Sequence, residues 1–321
     1  MNILITGGAG YIGSIVCELL ERQLNNIIVV DDLRDGNKSA LSKDITFYEA
    51  NFGDSQVLHE IFSKHNIDLV CHLAASANVP DSVINPIDYY ENNVSNTLSL
   101  LKVMASYQVK RIIFSSTAAV YGEPQYTPID EAHILKPVNP YGYSKLVVEN
   151  ILKDYAKAYE LQYIVFRYFC AAGATDLHGE SRKYESHLIP LVVDNILNLK
   201  DKLTVFGIDF NTEDGSGVRD YIHVKDIARA HVLAIQKIDV LKNEIFNLGN
   251  NIGSSVFDVI KTTERLYKCK VNYINGERRL GDPEVLVAAY DKAKKLLGWT
   301  PQNKLDKIIE TAYNWRKSPK Y

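Results

Sequence analysis

The residues best suited to chemistry are Tyr141 and Lys145, four positions apart, and the hydroxyl run Ser115-Ser116-Thr117 upstream of them. On a helix, residues four positions apart share a face, so the lysine ammonium can lie near the tyrosine phenol. A phenol with a pKa of about 10 must have that pKa lowered by roughly 3 to act as a base near pH 7. One cation about 4 Å away supplies on the order of 4 kcal/mol at an effective dielectric constant near 20, which is sufficient. The pair therefore indicates proton transfer by a tyrosine base.

The spacing Tyr-x-x-x-Lys also occurs at Tyr221/Lys225, Tyr290/Lys294 and Tyr313/Lys317, so the pattern alone does not identify the site. Only the Tyr141 copy opens an amphipathic helix behind an extended, proline-bounded segment, and only this copy follows an apolar strand that ends in hydroxyl residues. A helix surface without catalytic function explains the other copies equally well.

The elements that would position this pair begin with a glycine turn, Gly7-Gly8-Ala9-Gly10-Tyr11-Ile12-Gly13, between an apolar strand and a helix. Glycines let the backbone turn tightly and approach a pyrophosphate, which free N–H groups and the positive helix end attract. The spacing is G-x-x-G-x-x-G rather than the commoner G-x-G-x-x-G, and a structural turn remains the alternative.

The next apolar strand ends in Asp31-Asp32. An acidic residue there can bind ribose hydroxyls and repel a 2′-phosphate, which favours NAD over NADP. A capping or loop aspartate is the alternative, and it suits Asp32 better than Asp31.

Further apolar strands, expected at residues 45–48, 69–73, 112–114 and 164–166, alternate with helical stretches such as residues 86–107 and 146–159. Strands that are apolar on both faces predict an α/β fold with a parallel, doubly wound sheet. Ligands bind at the carboxyl ends of such strands. Leu73-Ala74-Ala75 suits that edge because small residues let a dinucleotide lie close, although a packing role explains them as well.

The composition is that of an ordinary globular protein: 321 residues, 46% hydrophobic and 23% charged, with a net charge of −3. A pI near 6.3 gives no basic footprint for nucleic acid. The four cysteines lack metal-ligand spacing, so we expect reduced thiols and no metal site. No signal sequence or long apolar run is evident, and we expect a cytoplasmic protein without a membrane partner.

Beyond Tyr168 the loops lengthen and arginines appear at Arg219, Arg278 and Arg279. The planar guanidinium suits phosphate, so this half could hold the phosphorylated end of a substrate. Ordinary surface arginine is the alternative.

These motifs together resemble the extended short-chain dehydrogenase/reductases, and within them the UDP-hexose 4-epimerases. The likeness covers nearly the whole chain. It rests on the glycine turn, Tyr89-Tyr90-Glu91-Asn92-Asn93-Val94, residues 114–122, residues 141–145, Arg167-Tyr168-Phe169 and, most specifically, residues 212–224.

The resemblance implies an isomerase, in which NAD stays bound and is regenerated in each turnover. Tyr141 would take the proton of the sugar 4-hydroxyl while hydride leaves C4, giving a 4-keto sugar that rotates and takes the hydride back on its other face. Thr117 would hydrogen-bond the 4-oxygen and relay the proton. Lys145 would bind the nicotinamide ribose and, with the positive nicotinamide, lower the pKa of Tyr141.

The resemblance also implies a Rossmann-type NAD-binding domain over residues 1–170, to which the chain returns around residues 220–249. A smaller C-terminal α/β domain, residues 171–321, would mainly bind the nucleotide sugar. The residues expected to contact NAD are Gly7, Gly10, Tyr11, Ile12, Gly13, Asp31, Asp32, Asn51, Phe52, Leu73, Ala74, Ala75, Asn93, Thr117, Tyr141, Lys145, Tyr168 and Phe169. The residues expected to contact the UDP-sugar are Thr117, Tyr141, Cys170, His187, Leu188, Thr204, Val205, Phe206, Arg219, Arg279, Asp282 and Leu286.

Three positions depart from the family pattern. Asn51 replaces the aspartate that accepts the adenine amine, and its carbonyl can still accept. Cys170 replaces an asparagine that contacts the nucleotide sugar, and a thiol is a poor donor. Leu286 stands where some members carry a tyrosine that limits the sugar 2-position, so we expect UDP-N-acetylglucosamine and UDP-N-acetylgalactosamine to be accepted too.

Three other functions are weighed against this interpretation. A nucleotide-sugar 4,6-dehydratase shares the fold and the Tyr/Lys pair but needs an acid and a base after the threonine, where Ala118-Ala119 stand. A simple reductase shares the first half-reaction. A non-catalytic NAD-sensing regulator would show damage at Thr117, Tyr141 or Lys145, and all three are intact.

The family also forms homodimers through the helices near residues 86–107 and 141–159. Leu98, Leu101, Val148, Ile151 and Leu152 are compatible with that interface, but their spacing indicates burial of a helix on a sheet equally well.

Overall fold

The computed structural model describes residues 1–23, 25–279 and 282–321. The strands in this part of the chain are β1 (Asn2–Thr6), β2 (Asn26–Asp31), β3 (Thr46–Glu49), β4 (Leu69–His72), β5 (Arg111–Thr117), β6 (Gln162–Tyr168), β7 (Cys170–Ala172), β8 (Leu203–Phe206), β9 (Val218–His223), β10 (Glu244–Leu248), β11 (Gly253–Ser255), β12 (Tyr273–Gly276) and β13 (Val285–Leu286).

The helices are α1 (Tyr11–Glu21), α2 (Ser55–His65), α3 (Val79–Ile84), α4 (Pro86–Tyr90), α5 (Asn96–Ser106), α6 (Pro140–Tyr159), α7 (Leu188–Ile196), α8 (Val224–Leu241), α9 (Val256–Tyr267) and α10 (Leu305–Lys317). Short 3₁₀ turns span Lys38–Ala40 and Ala118–Val120, and π turns span Glu91–Ser95 and Ala293–Leu297.

Seven strands form one sheet in the order β10-β6-β5-β4-β1-β2-β3, and every neighbouring pair is parallel. The chain winds outwards from β1 in one direction through β2 and β3 and in the other through β4, β5 and β6. This is the Rossmann-type doubly wound sheet expected from the sequence, and the prediction is confirmed. The strands predicted at 112–114 and 164–166 are short by one to three residues at each end, and β5 extends to Thr117 rather than stopping at Phe114. The strand predicted at 45–48 is displaced by one residue, and the strand predicted at 69–73 is one residue too long.

Both faces of this sheet are buried, which explains the nearly continuous apolar strands. In β1, Ile3 and Ile5 point to the face covered by α1 and α8, whereas Leu4 points to the face covered by α2, α5 and α6. Successive side chains of a strand alternate between faces, so an all-apolar strand supplies two cores at once.

A second, smaller lobe forms after β6. Strands β7, β9, β11 and β13 make a small mixed sheet, and β8 pairs with β12 in a parallel ribbon. A separate core lies among α7, α9 and α10. After β9 the chain returns to the large sheet, where α8 covers one face and β10 pairs with β6 at the edge, before it enters the smaller lobe again at β11.

Among the described residues, no helix combines the length and the hydrophobicity required to cross a lipid bilayer. The four cysteines are free thiols, of which Cys17 and Cys71 are buried in the core of the large sheet.

Candidate active site

The carboxyl ends of the parallel strands bring most of the expected cofactor residues to one edge of the large sheet. The glycine turn follows β1, Asp31 ends β2, Leu73 follows β4, and Thr117 ends β5. The direction of winding changes between β1 and β4, and in open α/β sheets the ligand crevice lies at this point.

Two glycines of the turn are required by the protein itself. Gly7 has φ of +73°, and a Cβ at this position would lie 2.7 Å from the backbone nitrogen of Ala74. A Cβ on Gly13 would collide with the carbonyl oxygen of Gly7. These glycines let the turn fold against the loop after β4 and let α1 start close to the strand.

Gly10 has a different role, because among the described residues only one atom crowds a side chain at this position. Its φ is −78°, and a Cβ would meet only the Gly7 oxygen, at 3.3 Å. Gly10 is the N-cap of α1, whose first turn carries no acidic residue, and no side chain in the described part of the chain caps the N–H groups of this turn. Open space above uncapped N–H groups at a helix start fits a diphosphate, so these residues fit the expected dinucleotide.

Asp31 supports the glycine turn as well as facing the crevice. Its Oδ2 accepts a hydrogen bond from the Ala9 N–H at 3.0 Å, and its Oδ1 accepts one from Leu33 at 2.9 Å. Burial raises the pKa of this carboxyl despite both donors. Each oxygen keeps a second lone pair, so the carboxylate can still accept from a ribose hydroxyl.

Asn51 is already engaged within the protein. Its Oδ1 accepts from the Gly53 N–H at 2.8 Å and from Asn96 Nδ2 at 3.0 Å, while its Nδ2 donates to Asp32 at 3.2 Å. A carbonyl oxygen has two lone pairs, so this arrangement leaves little capacity for an adenine amine. The neighbouring Asp32, whose side chain is 33% exposed and which pairs with Arg34 at 3.4 Å, is the more accessible acceptor.

Tyr141 and Thr117 meet at the centre of the site. Thr117 ends β5, and Tyr141 lies in the first turn of α6, which Asn139 caps by accepting from the Gly142 N–H at 2.8 Å. The Thr117 side chain lies close enough to the Tyr141 phenol to lower its pKa. A threonine hydroxyl in contact with a phenol can pass a proton between that phenol and a bound hydroxyl group.

Lys145 is buried one turn further along α6. Its Nζ donates to the Ser115 carbonyl oxygen at 2.9 Å and lies 4.8 Å from the centroid of the Phe114 ring. Burial lowers the pKa of this ammonium to about 7, against the opposing effect of Glu149.

The electrostatics of Tyr141 differ from the sequence expectation. Burial raises its pKa, and the groups that oppose this rise are Thr117, through its hydrogen bond, and the charge of Arg182. Lys145 was expected to be the cation that lowers the pKa of the phenol. Its ammonium, however, is directed at the Ser115 carbonyl, and burial lowers the pKa of the ammonium itself. Lowering of the phenol pKa by Lys145 together with NAD stays a prediction.

Asn93 and Tyr168 form hydrogen bonds with residues that surround the site. Asn93, in the π turn Glu91–Ser95, bonds both the N–H and the C=O of Ser76 and donates to Ser144 Oγ at 3.0 Å. It thereby ties the loop after β4 to α6. The Tyr168 hydroxyl lies 2.7 Å from Ser115 Oγ and 2.9 Å from His231 Nε2. Irregular π turns of this kind are common at functional sites.

The remaining expected cofactor residues differ in exposure. The side chains of Phe52 and Phe169 are buried, and Phe52 packs against His72 with ring centroids 4.9 Å apart. Leu73 and Ile12 are partly buried at the crevice, and the hydroxyl of Tyr11 donates to the Gly173 oxygen at 2.5 Å. The Phe52 side chain therefore packs in the core and is not exposed for contact with a cofactor.

On the opposite side of the crevice, the small sheet brings three expected substrate residues together. Cys170 of β7 is paired in register with Tyr221 of β9, and Arg219 of β9 with Leu286 of β13. Leu286 packs against a small apolar cluster that includes Phe169. Burial raises the pKa of the Cys170 thiol to about 11, against the lowering effect of Arg219.

The two arginines expected on the diphosphate are held differently. Arg219 donates to its neighbour's carbonyl oxygen at 2.9 Å and lies 3.9 Å from Asp282. The Arg279 guanidinium stacks 3.9 Å from the centroid of Phe206, at the end of β8. Thr204 precedes it in β8, and the side chain of Val205 is fully buried, so only its backbone can reach a ligand.

His187 lies in an unexpected charged cluster at the start of α7, just before Leu188. Its Nδ1 is 2.7 Å from Glu185, and Arg182 lies 3.4 Å from both His187 Nε2 and Glu180. Ligand atoms of Glu180, Glu185 and His187 lie within 4.8 Å of one another, a spacing compatible with a cation. The guanidinium of Arg182 already supplies the positive charge there.

Sequence reasoning missed Arg182 and Glu149. Arg182 lies in a long irregular loop, where no periodicity marks a functional side chain. Glu149 had a signal, because it continues the four-residue spacing of Tyr141 and Lys145 along one face of α6.

Comparison with known proteins gives concordant results. Residues 3–249 match the model of the NAD dependent epimerase/dehydratase family. The chain is similar to the UDP-glucose 4-epimerase of Halalkalibacterium halodurans, with 46% identity covering 99% of this chain and 96% of the relative.

Two solved structures show the same similarity in three dimensions. The UDP-glucose 4-epimerase from Bifidobacterium longum in complex with NAD+ and UDP has 37% identity and a TM-score of 0.96, covering 99% of each chain. The UDP-Glc/GlcNAc 4-epimerase from Campylobacter jejuni has 37% identity and a TM-score of 0.86, covering 98% of this chain and 99% of that one.

Proposed function

The chain belongs to the NAD dependent epimerase/dehydratase family, and from that premise we propose that it interconverts UDP-galactose and UDP-glucose. It is an isomerase with NAD as its cofactor. The observation that carries the substrate assignment is the intact Thr117–Tyr141–Lys145 centre on a chain whose full length matches UDP-glucose 4-epimerases.

Bound NAD supplies a reversible acceptor for the hydride on sugar C4 and a positive charge near the phenol. The residues of the chain transfer the proton of the sugar 4-hydroxyl. Tyr141 accepts the proton of the 4-hydroxyl, with Thr117 bridging the phenol and the sugar oxygen. Tyr141 returns the same proton after the 4-keto sugar has turned its other face, so there is no net oxidation. Lys145, anchored on the Ser115 carbonyl, is the residue that would hold the nicotinamide ribose.

We assign cofactor binding to the large sheet, residues 1–170 with the return segment around 220–249, and nucleotide-sugar binding mainly to residues 171–321. The support is geometric. Arg219, Arg279 and Asp282 belong to the second lobe, and Cys170 and Leu286 lie in the same small sheet as Arg219. Arginine is the side chain best suited to the two phosphates of such a substrate.

The decisive experiment is conversion of UDP-galactose without added NAD, with the C4 epimers separated by chromatography. Formation of UDP-glucose supports both tightly held NAD and the epimerase mechanism. A persistent keto or dehydrated product that requires added NAD would instead indicate a reductase or a dehydratase. An NAD-sensing regulator would give no product and no reduced cofactor.

A second substrate pair is favoured by Leu286. The side chain packs against the small apolar cluster that contains Phe169 and Ala118, and leucine occupies less space than tyrosine. We therefore propose that UDP-N-acetylglucosamine and UDP-N-acetylgalactosamine are interconverted too. The Campylobacter jejuni enzyme, named for both UDP-Glc and UDP-GlcNAc, resembles this chain. Absence of conversion of the N-acetylated pair by an otherwise active protein would rule this out.

We also propose a homodimer built on α4 and α6. These helices pack together, with the rings of Tyr89 and Tyr141 6.4 Å apart, and their outer sides expose Ile87 (65%), Tyr143 (46%) and Val147 (37%). Neighbouring exposed apolar side chains of this size are typical of interfaces. Leu101, Val148 and Leu152, which the sequence left open, face the large sheet instead.

A further inference from the structure

A buried ion pair lies directly behind the reaction centre. Glu149 of α6 and Arg167 of β6 are bonded through two parallel contacts, of 2.6 Å and 3.0 Å, and their side chains are 0% and 2% exposed. Ser116 of β5 donates to the same carboxylate at 2.5 Å, and Arg167 also donates to the Tyr121 hydroxyl at 2.9 Å.

These contacts join the three elements that carry the reaction. Ser116 and Arg167 are register partners on adjacent strands, and each immediately precedes a residue of the site, Thr117 on β5 and Tyr168 on β6. Glu149 follows Lys145 by one helical turn, as Lys145 follows Tyr141. The Glu149 carboxylate on α6 therefore bonds to both β5 and β6, one residue before Thr117 and Tyr168.

We propose that the Glu149–Arg167 pair is a positioning device for the reaction centre, which fixes the rotation of α6 against β5 and β6 and holds a carboxylate one turn from Lys145. This inference rests on the proposed function. An apolar pair of similar volume would fill the same space at no loss of stability, but it would not select one rotation of the helix. A bidentate contact has a defined direction, and here it sets where Tyr141 meets Thr117.

The pair also acts on the charge of Lys145. Burial lowers the pKa of the lysine to about 7, and Glu149 is the group that raises it. His72 on β4 also senses Lys145, but its pKa is lowered to about 3 by burial, so it is neutral. Arg167 on β6 is held by Glu149 itself, and the Phe114 ring and Ser115 carbonyl on β5 do not titrate.

Two substitutions separate geometry from charge. Glu149→Asp keeps the charge but shortens the arm, so we expect kcat to fall about tenfold to a hundredfold while the basic limb of the pH–rate profile stays in place. Glu149→Gln keeps the shape but removes the charge, so we expect the basic limb to move down by about one pH unit. Glu149→Gln leaves a buried Arg167 unpaired, which can prevent folding, so the paired variant Glu149→Gln/Arg167→Gln is measured beside it. The control Asp154→Asn removes one exposed charge from the same helix and should change nothing.

The second readout is the rate at which bound NAD exchanges with labelled NAD as a function of pH. At the pH where Lys145 loses its proton, we expect NAD to exchange faster in Glu149→Gln and in the paired variant than in the parental protein. The inference is overturned if Glu149→Asp retains the parental kcat, or if the folded paired variant keeps the parental basic limb and exchange profile. An inactive parent would refute the proposed function instead, and the exchange measurement would still test the pair.

Discussion

Tyr141 is partly buried beside Thr117, and we propose that its phenol takes the proton of the substrate. Burial raises the pKa of this phenol, so it holds its proton more firmly than in water. The proposed reaction therefore needs positive charge to lower that pKa, and Arg182 already acts in this direction. The proposed reaction depends on the Tyr141 hydroxyl rather than on the ring.

We expect Tyr141→Phe to lower kcat by about 10²-fold to 10⁴-fold, because the ring remains but the proton acceptor is lost. The measurement is the rate of UDP-galactose conversion, with bound NAD quantified after denaturation. Tyr143→Phe, two positions along the same helix with a 46% exposed side chain, is the matched control and should retain activity. Equal losses in both variants would contradict the assignment of Tyr141.

Leu286 is the residue expected to decide which sugars fit. We expect Leu286→Tyr to reduce kcat/KM for UDP-N-acetylgalactosamine at least tenfold more than for UDP-galactose, because the larger side chain fills the space beside the sugar 2-position. The two substrates are compared in the same preparation. Leu286→Met nearly preserves the volume, and with this variant both substrates should react at close to parental rates.

The site residues that the sequence made readable are those with a local pattern. A strand end marks Thr117, and a four-residue spacing puts Tyr141 and Lys145 on one helix, where Tyr141 lies close to Thr117. Their catalytic roles stay predictions. Arg182 and the engaged side chain of Asn51 were not predictable, because both depend on contacts between distant loops. The charge that acts on Tyr141 comes from such a loop, so the electrostatics of the site could not be derived from spacing.

Among the elements, the turn between β1 and α1 contains glycines with two different roles, one in folding and one in binding the cofactor. We expect Gly13→Ala to destabilise the fold by several kcal/mol, because its Cβ would collide with the Gly7 carbonyl. Gly10→Ala should leave the melting temperature nearly unchanged but weaken NAD binding at least tenfold, because its Cβ would occupy the space above the helix start. Thermal unfolding and NAD content distinguish the two. A Gly10→Ala protein that binds NAD normally would contradict the phosphate site.

Helix and strand identities were predictable because the large sheet needs long apolar strands between amphipathic helices. Their ends were not. The π turn Glu91–Ser95 divides the expected helix at residues 86–107, and it does so where Asn93 bonds Ser76 and Ser144. A contact made across the tertiary structure thus overrides the local helical preference, and no pattern in the surrounding sequence indicates it.

For the whole molecule, three buried histidines predict sensitivity to acid. Burial lowers the pKa of His72 to about 3 and those of His223 and His231 to about 4, below the ordinary value of 6.5. The unfolded chain then binds more protons than the folded one, so the stabilisation is complete above about pH 6.5 and is lost as the pH falls towards 4. We expect a loss of up to about 1.4 kcal/mol per pH unit for each histidine.

Urea unfolding across this pH range measures the effect. In His223→Gln the amide can still accept from Lys225 and donate to Thr311, so the folded contacts can persist without the titration. The dependence of the unfolding free energy on pH should therefore become shallower by up to about 1.4 kcal/mol per pH unit between about pH 6.5 and 4. An unchanged slope would show that His223 does not contribute.

The oligomeric state is the second property of the whole molecule. We expect Val147→Glu to convert the proposed dimer into a monomer, because a charge would be buried between two copies of α6. Light scattering after size-exclusion chromatography gives the mass. Val240→Glu introduces the same charge at an 83% exposed position on α8 and should leave the dimer intact. A parental protein of monomeric mass would contradict the interface outright.

The path of the chain through the large sheet also bears on how the protein is made. Strand β10 pairs with β6, yet residues 169–243, which include β7, β8 and β9 of the second lobe, lie between them in the sequence. On the ribosome, the edge of β6 emerges long before its partner strand has been synthesised. An unpaired apolar strand edge is a site for aggregation, so a nascent chain halted before residue 244 should be a preferred client of molecular chaperones.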